Sequence, residues 1–132
     1  MAKFKNRMTN IEEKPFSSEN LPDRQMAMEM VLHAADLSGP ARPWKVSHAW
    51  ASRVQEEFVD QVDSEKRLGI PVSAFLTANK AKLETGFIDL FAMPVWDNLN
   101  KLLPEITDRV DDMSQNYARW AAELKEEADG KQ

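Results

Sequence analysis

Cysteine is absent from the 132 residues, so no disulfide framework and no thiolate metal site can form. Histidine is scarce, with only His33 and His48, which limits imidazole-based metal or acid–base chemistry. There is no excess of positive charge. Seventeen basic residues against 22 acidic ones leave a net charge of −5, which works against nucleic-acid binding, a mode that needs a basic face to displace counterions. No apolar run approaches the roughly 18 residues of a membrane span. The basic N-terminus, MAKFKNRMTN, lacks the apolar core of a secretory signal. A cytoplasmic location is the default expectation.

What is present suits one soluble, helical domain or a piece of one. Hydrophobic residues make up 42% and charged residues 30%. A free-standing domain of this size buries roughly two-thirds of the surface its unfolded chain exposes. Proline and glycine punctuate a helical pattern without repeats or sustained strand-like alternation. Residues 11–21 are polar, carry Pro15 and read as a loop. Pro22 fits the first turn of a helix that places Met26, Met30, Ala34 and Leu37 on one side and stops at Gly39-Pro40. Pro43 opens the next helix, where Val46, Trp50, Val54 and Phe58 form an apolar stripe, and Gly69 and Pro71 end it. A third helix is expected over 74–92 with Leu83, Phe87, Leu90 and Phe91 inward, restarted or kinked at Pro94. Pro104 begins the last helix, whose Ile106, Val110, Met113, Tyr117, Trp120 and Leu124 recur in steps of three and four. The spacing thus predicts an all-α fold with three parts: a helix end and polar loop over 1–21, a helical section over 22–126, and a solvated tail over 127–132.

Four segments carry a resemblance. The first is His33-Ala-Ala-Asp36-Leu-Ser-Gly39-Pro40 followed by Arg42-Pro43-Trp44. The second runs from Trp50 through Gln61 and on through Asp63, Glu65, Gly69 and Pro71 to Ser73. The third is Gly86-Phe87-Ile88-Asp89 with Pro94 and Trp96. The fourth is Asn116-x-x-x-Trp120. In this order they resemble the C-terminal part of the catalytic domain of the class I 3',5'-cyclic-nucleotide phosphodiesterases, over about residues 20–120. The resemblance implies a multi-helical, HD-like catalytic fold that hydrolyses cyclic AMP or cyclic GMP to the 5'-monophosphate. It implies two divalent metals, zinc and magnesium, which lower the pKa of a shared water and neutralise charge on the phosphate.

By the same resemblance Asp36 is a metal ligand, and Val54 and Phe87 close over the two faces of the purine. From the residues alone, Asp36 is a carboxylate placed against the dipole at a helix C-terminus. Val54 and Phe87 equally suit core packing on apolar helical faces. The family's remaining ligands lie in a His-Asn-x-x-His stretch and a His-Asp pair, and neither motif occurs here; the general-acid histidine is missing too. One carboxylate does not hold a catalytic metal. His33 is expected to be packed or hydrogen-bonded, and His48 exposed.

The pocket also departs from the family pattern. Glu84 stands where a glutamine is usual, and an ionised glutamate accepts hydrogen bonds but cannot donate them. Its other reading is a solvated residue near Lys80 and Lys82. Gly39 replaces an asparagine, Val62 stands where glycine is usual, and the segment between Ser73 and Glu84 is about three residues short. Two readings follow. One is an enzyme section that needs missing N-terminal catalytic helices, or a self-association partner, to act on a cyclic nucleotide. The other is a non-catalytic helical interaction module derived from that fold; a nucleotide-binding half-pocket without hydrolysis is weaker. On the first reading an apolar face should stay exposed, with Trp44, Trp50, Phe58 and Phe91 as candidates.

Overall fold

A computed structural model describes residues Ala2 to Gly130. Six α-helices follow in order: α1 (Ala2–Thr9), α2 (Leu21–Asp36), α3 (Trp44–Leu68), α4 (Lys80–Phe87), α5 (Met93–Leu102) and α6 (Thr107–Asp129). Short 3-10 turns lie at Gly39–Ala41, Ala74–Thr77 and Pro104–Ile106, and a π turn at Ile88–Ala92. No strand occurs among the described residues. The expected ends Met1, Lys131 and Gln132 lie outside the described residues; α6 itself runs to Asp129, beyond the expected start of the tail at 127.

The helix boundaries follow local chemistry. Asn20 caps α2, its side-chain oxygen accepting from the Asp23 amide at 3.1 Å, and Pro22 fills the first turn. Pro43 precedes α3, and Gly69 closes it in the left-handed conformation at φ 67°, where a Cβ would be disfavoured. The Gly69 and Ile70 amides donate to the Lys66 and Glu65 carbonyls and so satisfy the end of the helix. Asn79 caps α4 by accepting from the Lys82 amide at 2.8 Å.

The expected single helix over 74–92 is broken into three pieces, and Pro94 explains the last break. Proline has no N–H for the carbonyl of Leu90 and its ring crowds that carbonyl. The backbone widens just before it, with the Met93 amide donating to the Ile88 carbonyl five residues back. That extra residue in the turn rotates Leu90 and Phe91 away from the interior. They are 69% and 58% exposed, while Ile88 and Ala92 are fully buried in their place.

The long helix α6 packs against α4, α5, α3 and the turn at Gly39–Ala41, while α1 and α2 cover α5. Much of the interior is narrow. Ala34, Ala41, Ala51, Ala81 and Ala92 are buried and let backbones approach closely around Ile88, Val95, Leu99, Met113 and Trp120. The expected inward side of α2 holds, with Met30 and Ala34 buried and Met26 and Leu37 packed against the core. At the other end, Arg7 forks onto both Asp23 oxygens at 3.2 Å, and the guanidinium holds that carboxyl below its usual range. This ties α1 to the start of α2, while Phe4 and Met8 of α1 join the core.

Candidate functional site

Asp36 is the last residue of α2, and its side chain is exposed. The anchor is Ala34, buried two residues before it, together with the Leu37 amide, which donates to the His33 carbonyl at 3.2 Å. The carboxylate is therefore held outward from a fixed helix end. His33 is exposed as well, a correction to its expected packing: Met30 and Ala34 take the buried side of α2, and His33 projects from another side. No group of three or more His, Cys, Asp or Glu able to hold a metal ion occurs among the described residues. The donor set within this chain does not fit a zinc or magnesium centre, because Asp36 lacks the companions such an ion needs.

Val54 on α3 and Phe87 at the end of α4 are both exposed, at 38% and 36%. Periodicity alone assigns them to a core, and the structure leaves them on the surface. Phe87 stands beside Phe91, ring centroids 6.0 Å apart and tilted by 33°. The α3 stripe of Val46, Trp50 and Val54 is likewise outward, with the Arg53 guanidinium 5.0 Å from the Trp50 ring. Of the four aromatics expected to be exposed, Trp50 and Phe91 are. Trp44 instead packs on Trp120 at 4.8 Å, and Phe58 meets Phe75 edge-on at 5.5 Å.

Glu84 lies one turn before Phe87 on α4 and is half-buried. Burial pushes its carboxyl up to about 7, with the positive charge of Lys80 pulling the other way. It is thus only partly solvated beside its lysine neighbours. A carboxyl raised this far is partly protonated near neutrality, and in that form it both donates and accepts, as a glutamine amide does. The stability consequence has a definite sign. From the ordinary glutamate value of 4.5 up to about 7, the folded chain keeps a proton that the unfolded chain releases, so stability falls as pH rises through that window. Glu84→Gln removes this slope. The variant is expected to gain about 1–3 kcal/mol over the parent above pH 7 and little at pH 4.5. Urea midpoints at pH 5, 6 and 7.5 check it; a difference that does not grow with pH contradicts the assignment.

Gly39 starts the 3-10 turn after α2. A Cβ added there meets nothing within 4 Å, and its φ is not positive, so the site has room for a side chain that the sequence omits. Val62 is buried in α3. Sequence reasoning missed the surroundings of His48. Instead of being exposed, its ring stacks on Trp120 at 5.2 Å and 10°, and the Lys80 ammonium donates toward its Nε2 at 3.4 Å and to the Ser52 hydroxyl at 3.2 Å. His48 and Ser52 are one turn apart on α3 and face Lys80, the first residue of α4, a partner 28 or more positions away that local spacing does not reveal. This bridge fixes the start of α4, and with it Glu84 and Phe87, against α3.

Comparison with known proteins agrees with this geometry. The family model described as 3'5'-cyclic nucleotide phosphodiesterase matches residues 1–113. The 3',5'-cyclic-nucleotide phosphodiesterase regA of Dictyostelium discoideum is 32% identical over 132 residues, covering 98% of this chain. The Mus musculus 3',5'-cyclic-AMP phosphodiesterase 4C is 33% identical over 102 residues, 74% of this chain. The solved phosphodiesterase domain of Salpingoeca rosetta rhodopsin phosphodiesterase superposes with a TM-score of 0.83 at 28% identity, over 99% of this chain and 43% of that one. The chain spans 16% and 15% of the length of the two curated relatives. No helix among the described residues is long and apolar enough to cross a membrane. The matched residues, the all-helical fold and the superposition together place this chain in the 3',5'-cyclic nucleotide phosphodiesterase family.

Proposed function

We propose that residues 22–126 form the C-terminal helical section of a phosphodiesterase catalytic domain that hydrolyses cyclic AMP, cyclic GMP or both to the 5'-monophosphate. Residues 1–21 form a lead-in helix and loop, and 127–132 a solvated end. In this reading Asp36 is one ligand of a metal centre whose other ligands come from N-terminal catalytic helices, or from a self-association partner. Zinc and magnesium are the metals the family relationship favours, and the setting is cytoplasmic. Val54 and Phe87 clamp the base, Glu84 meets its edge, and Gly39 borders the pocket.

The observation that carries the reading is exposure, which periodicity alone does not predict for Val54 and Phe87. Val54, Phe87 and Asp36 all face outward from well-packed helices, which leaves them free to complete a site with further chain. Aromatic stacking on a base contributes roughly 1–3 kcal/mol and serves either purine. The chain's own residues position these groups through the Lys80 bridge and the cap at Asn79. The second reading, a non-catalytic helical module, is favoured by the lack of companion ligands for Asp36 among the described residues.

A chimera separates the two. Residues 22–126 joined to the N-terminal part of a related catalytic domain are expected to hydrolyse cyclic AMP or cyclic GMP, while that N-terminal part alone does not. A folded chimera without turnover for either nucleotide favours the module.

A further inference from the structure

Lys80, Glu84 and Phe87 fall at i, i+4 and i+7 along α4, so they share one side of that helix. That side begins docked on α3. The Lys80 ammonium donates to the Ser52 hydroxyl at 3.2 Å and toward His48 Nε2 at 3.4 Å, and Gln55 Nε2 donates to the Ala78 carbonyl just before α4 at 3.3 Å. Glu84 is therefore half-buried between a docked lysine and an outward phenylalanine. Its carboxyl takes part in none of the ion pairs among the described residues, and the ammonium one turn away is committed to α3. Burial raises the group to about 7, and the charge of Lys80 offsets only part of that. A carboxylate in such a setting gains from N–H donors that reach it, because hydrogen bonds to an ionised group strengthen as water is excluded.

Phe87 does not itself select a base. Stacking uses the π-face that every base has and serves adenine and guanine alike. Selection falls to the edge, where the two purines differ. Guanine carries two neighbouring donors, N1–H and the 2-amino group, beside the O6 acceptor. Adenine carries one donor, the 6-amino group, with the ring acceptors N1 and N7 on either side. An ionised glutamate offers two acceptor oxygens and no donor. Those oxygens match the paired donors of guanine in the two-pronged manner of a carboxylate on a guanidinium. On adenine one oxygen is satisfied and the other is forced against a ring-nitrogen lone pair. A glutamine at the same position, with one acceptor and one donor group, accommodates either base.

We propose that Glu84 makes this pocket select guanine over adenine, by accepting from N1–H and the 2-amino group of a base stacked on Phe87. The proposal rests on the clamp of Val54 and Phe87 in the reading above, and it names cyclic GMP as the preferred ligand.

The test is an NMR titration of the 132-residue chain at pH 8, above the value of about 7 for Glu84, following the Phe87 ring and Val54 methyl resonances. The ligands are cyclic GMP, cyclic AMP and cyclic IMP. Cyclic GMP is expected to bind roughly ten- to a hundredfold tighter than cyclic AMP, the range of a good bidentate base contact. Cyclic IMP, which keeps N1–H and O6 but lacks the 2-amino group, should fall well below cyclic GMP. Glu84→Gln should bring the two affinities for cyclic GMP and cyclic AMP within about threefold of each other. That variant is expected to be the more stable one at this pH, so the change does not reflect unfolding. Three results overturn the assignment of Glu84 while leaving the clamp standing: equal binding of cyclic GMP and cyclic AMP, equal binding of cyclic GMP and cyclic IMP, or an unchanged preference in Glu84→Gln. Nucleotides that move neither Phe87 nor Val54 at millimolar concentration overturn the clamp and this proposal with it.

Discussion

Trp120→Ala is expected to cost this chain about 3–5 kcal/mol of stability, the largest loss of any single truncation in the molecule. Trp120 is fully buried on α6 and is the hub on which three other elements meet. Trp44 packs against it at 4.8 Å from the start of α3, His48 stacks on it at 5.2 Å, and the Lys80 ammonium of α4 lies 5.4 Å from its ring. Removing the indole leaves a cavity too well framed by helices to collapse, and it takes away both the stacking and the cation–π contact. Since domains of this kind hold only about 5–15 kcal/mol in reserve, the loss should be visible as a much lower urea midpoint. Trp120→Phe keeps an aromatic face for His48 and Lys80 and should recover a substantial part. A truncation cost below about 1 kcal/mol contradicts the hub role.

The second large effect concerns chemistry. In the chimera described above, Asp36→Ala is expected to reduce hydrolysis by roughly 10²–10³-fold, because a two-metal site loses one of its few anchoring carboxylates. The folded state should hardly notice. Asp36 is exposed, and its charge sits unfavourably at the C-terminal end of α2, so its removal should be neutral or stabilising by a few tenths of a kcal/mol. Paired measurement of turnover and thermal midpoint distinguishes a ligand from a structural residue. Loss of both together, or of neither, argues against the ligand role.

Much of the fold was legible because proline, glycine and capping residues act locally. Pro22, Pro43 and Gly69 mark the ends of α2 and α3 as the sequence suggested, and the apolar steps of α6 bring Met113 and Trp120 into the core. The sidedness of the middle helices was not legible. Periodicity finds an apolar face but does not say what covers it. Val46, Trp50 and Val54 form a regular stripe, yet the interior side of α3 is lined by Ser47, Ala51 and Val62. Small residues score weakly in any hydrophobic pattern, although they are what close helix packing requires. The π turn compounds this, since one added residue before Pro94 shifts the side chains after it by about a quarter turn.

The site was legible unevenly. Asp36, Val54, Phe87, Glu84 and Gly39 were reached through the family pattern, since spacing alone left each with an equally good structural reading. The structure leaves Val54 and Phe87 outside the core, and it gives Glu84 a half-buried setting that its charged neighbours did not suggest. The two histidines exchanged places, His33 outward and His48 stacked, because each reading rested on one helix and the outcome depended on its neighbour. Contacts such as His48–Trp120 or Asn116–Arg42 join residues more than 70 positions apart and leave no trace in a local pattern.

If the proposed reading holds, this chain supplies a packed scaffold, Asp36 as one metal ligand and Val54 and Phe87 as a base clamp, and catalysis needs further ligands from outside it. The most direct test is hydrolysis of cyclic AMP and cyclic GMP by the purified 132-residue chain with zinc and magnesium supplied, beside Asp36→Ala. The account predicts no turnover above that control. Turnover that disappears in Asp36→Ala would contradict it, and would mean that these residues assemble a complete metal site by themselves.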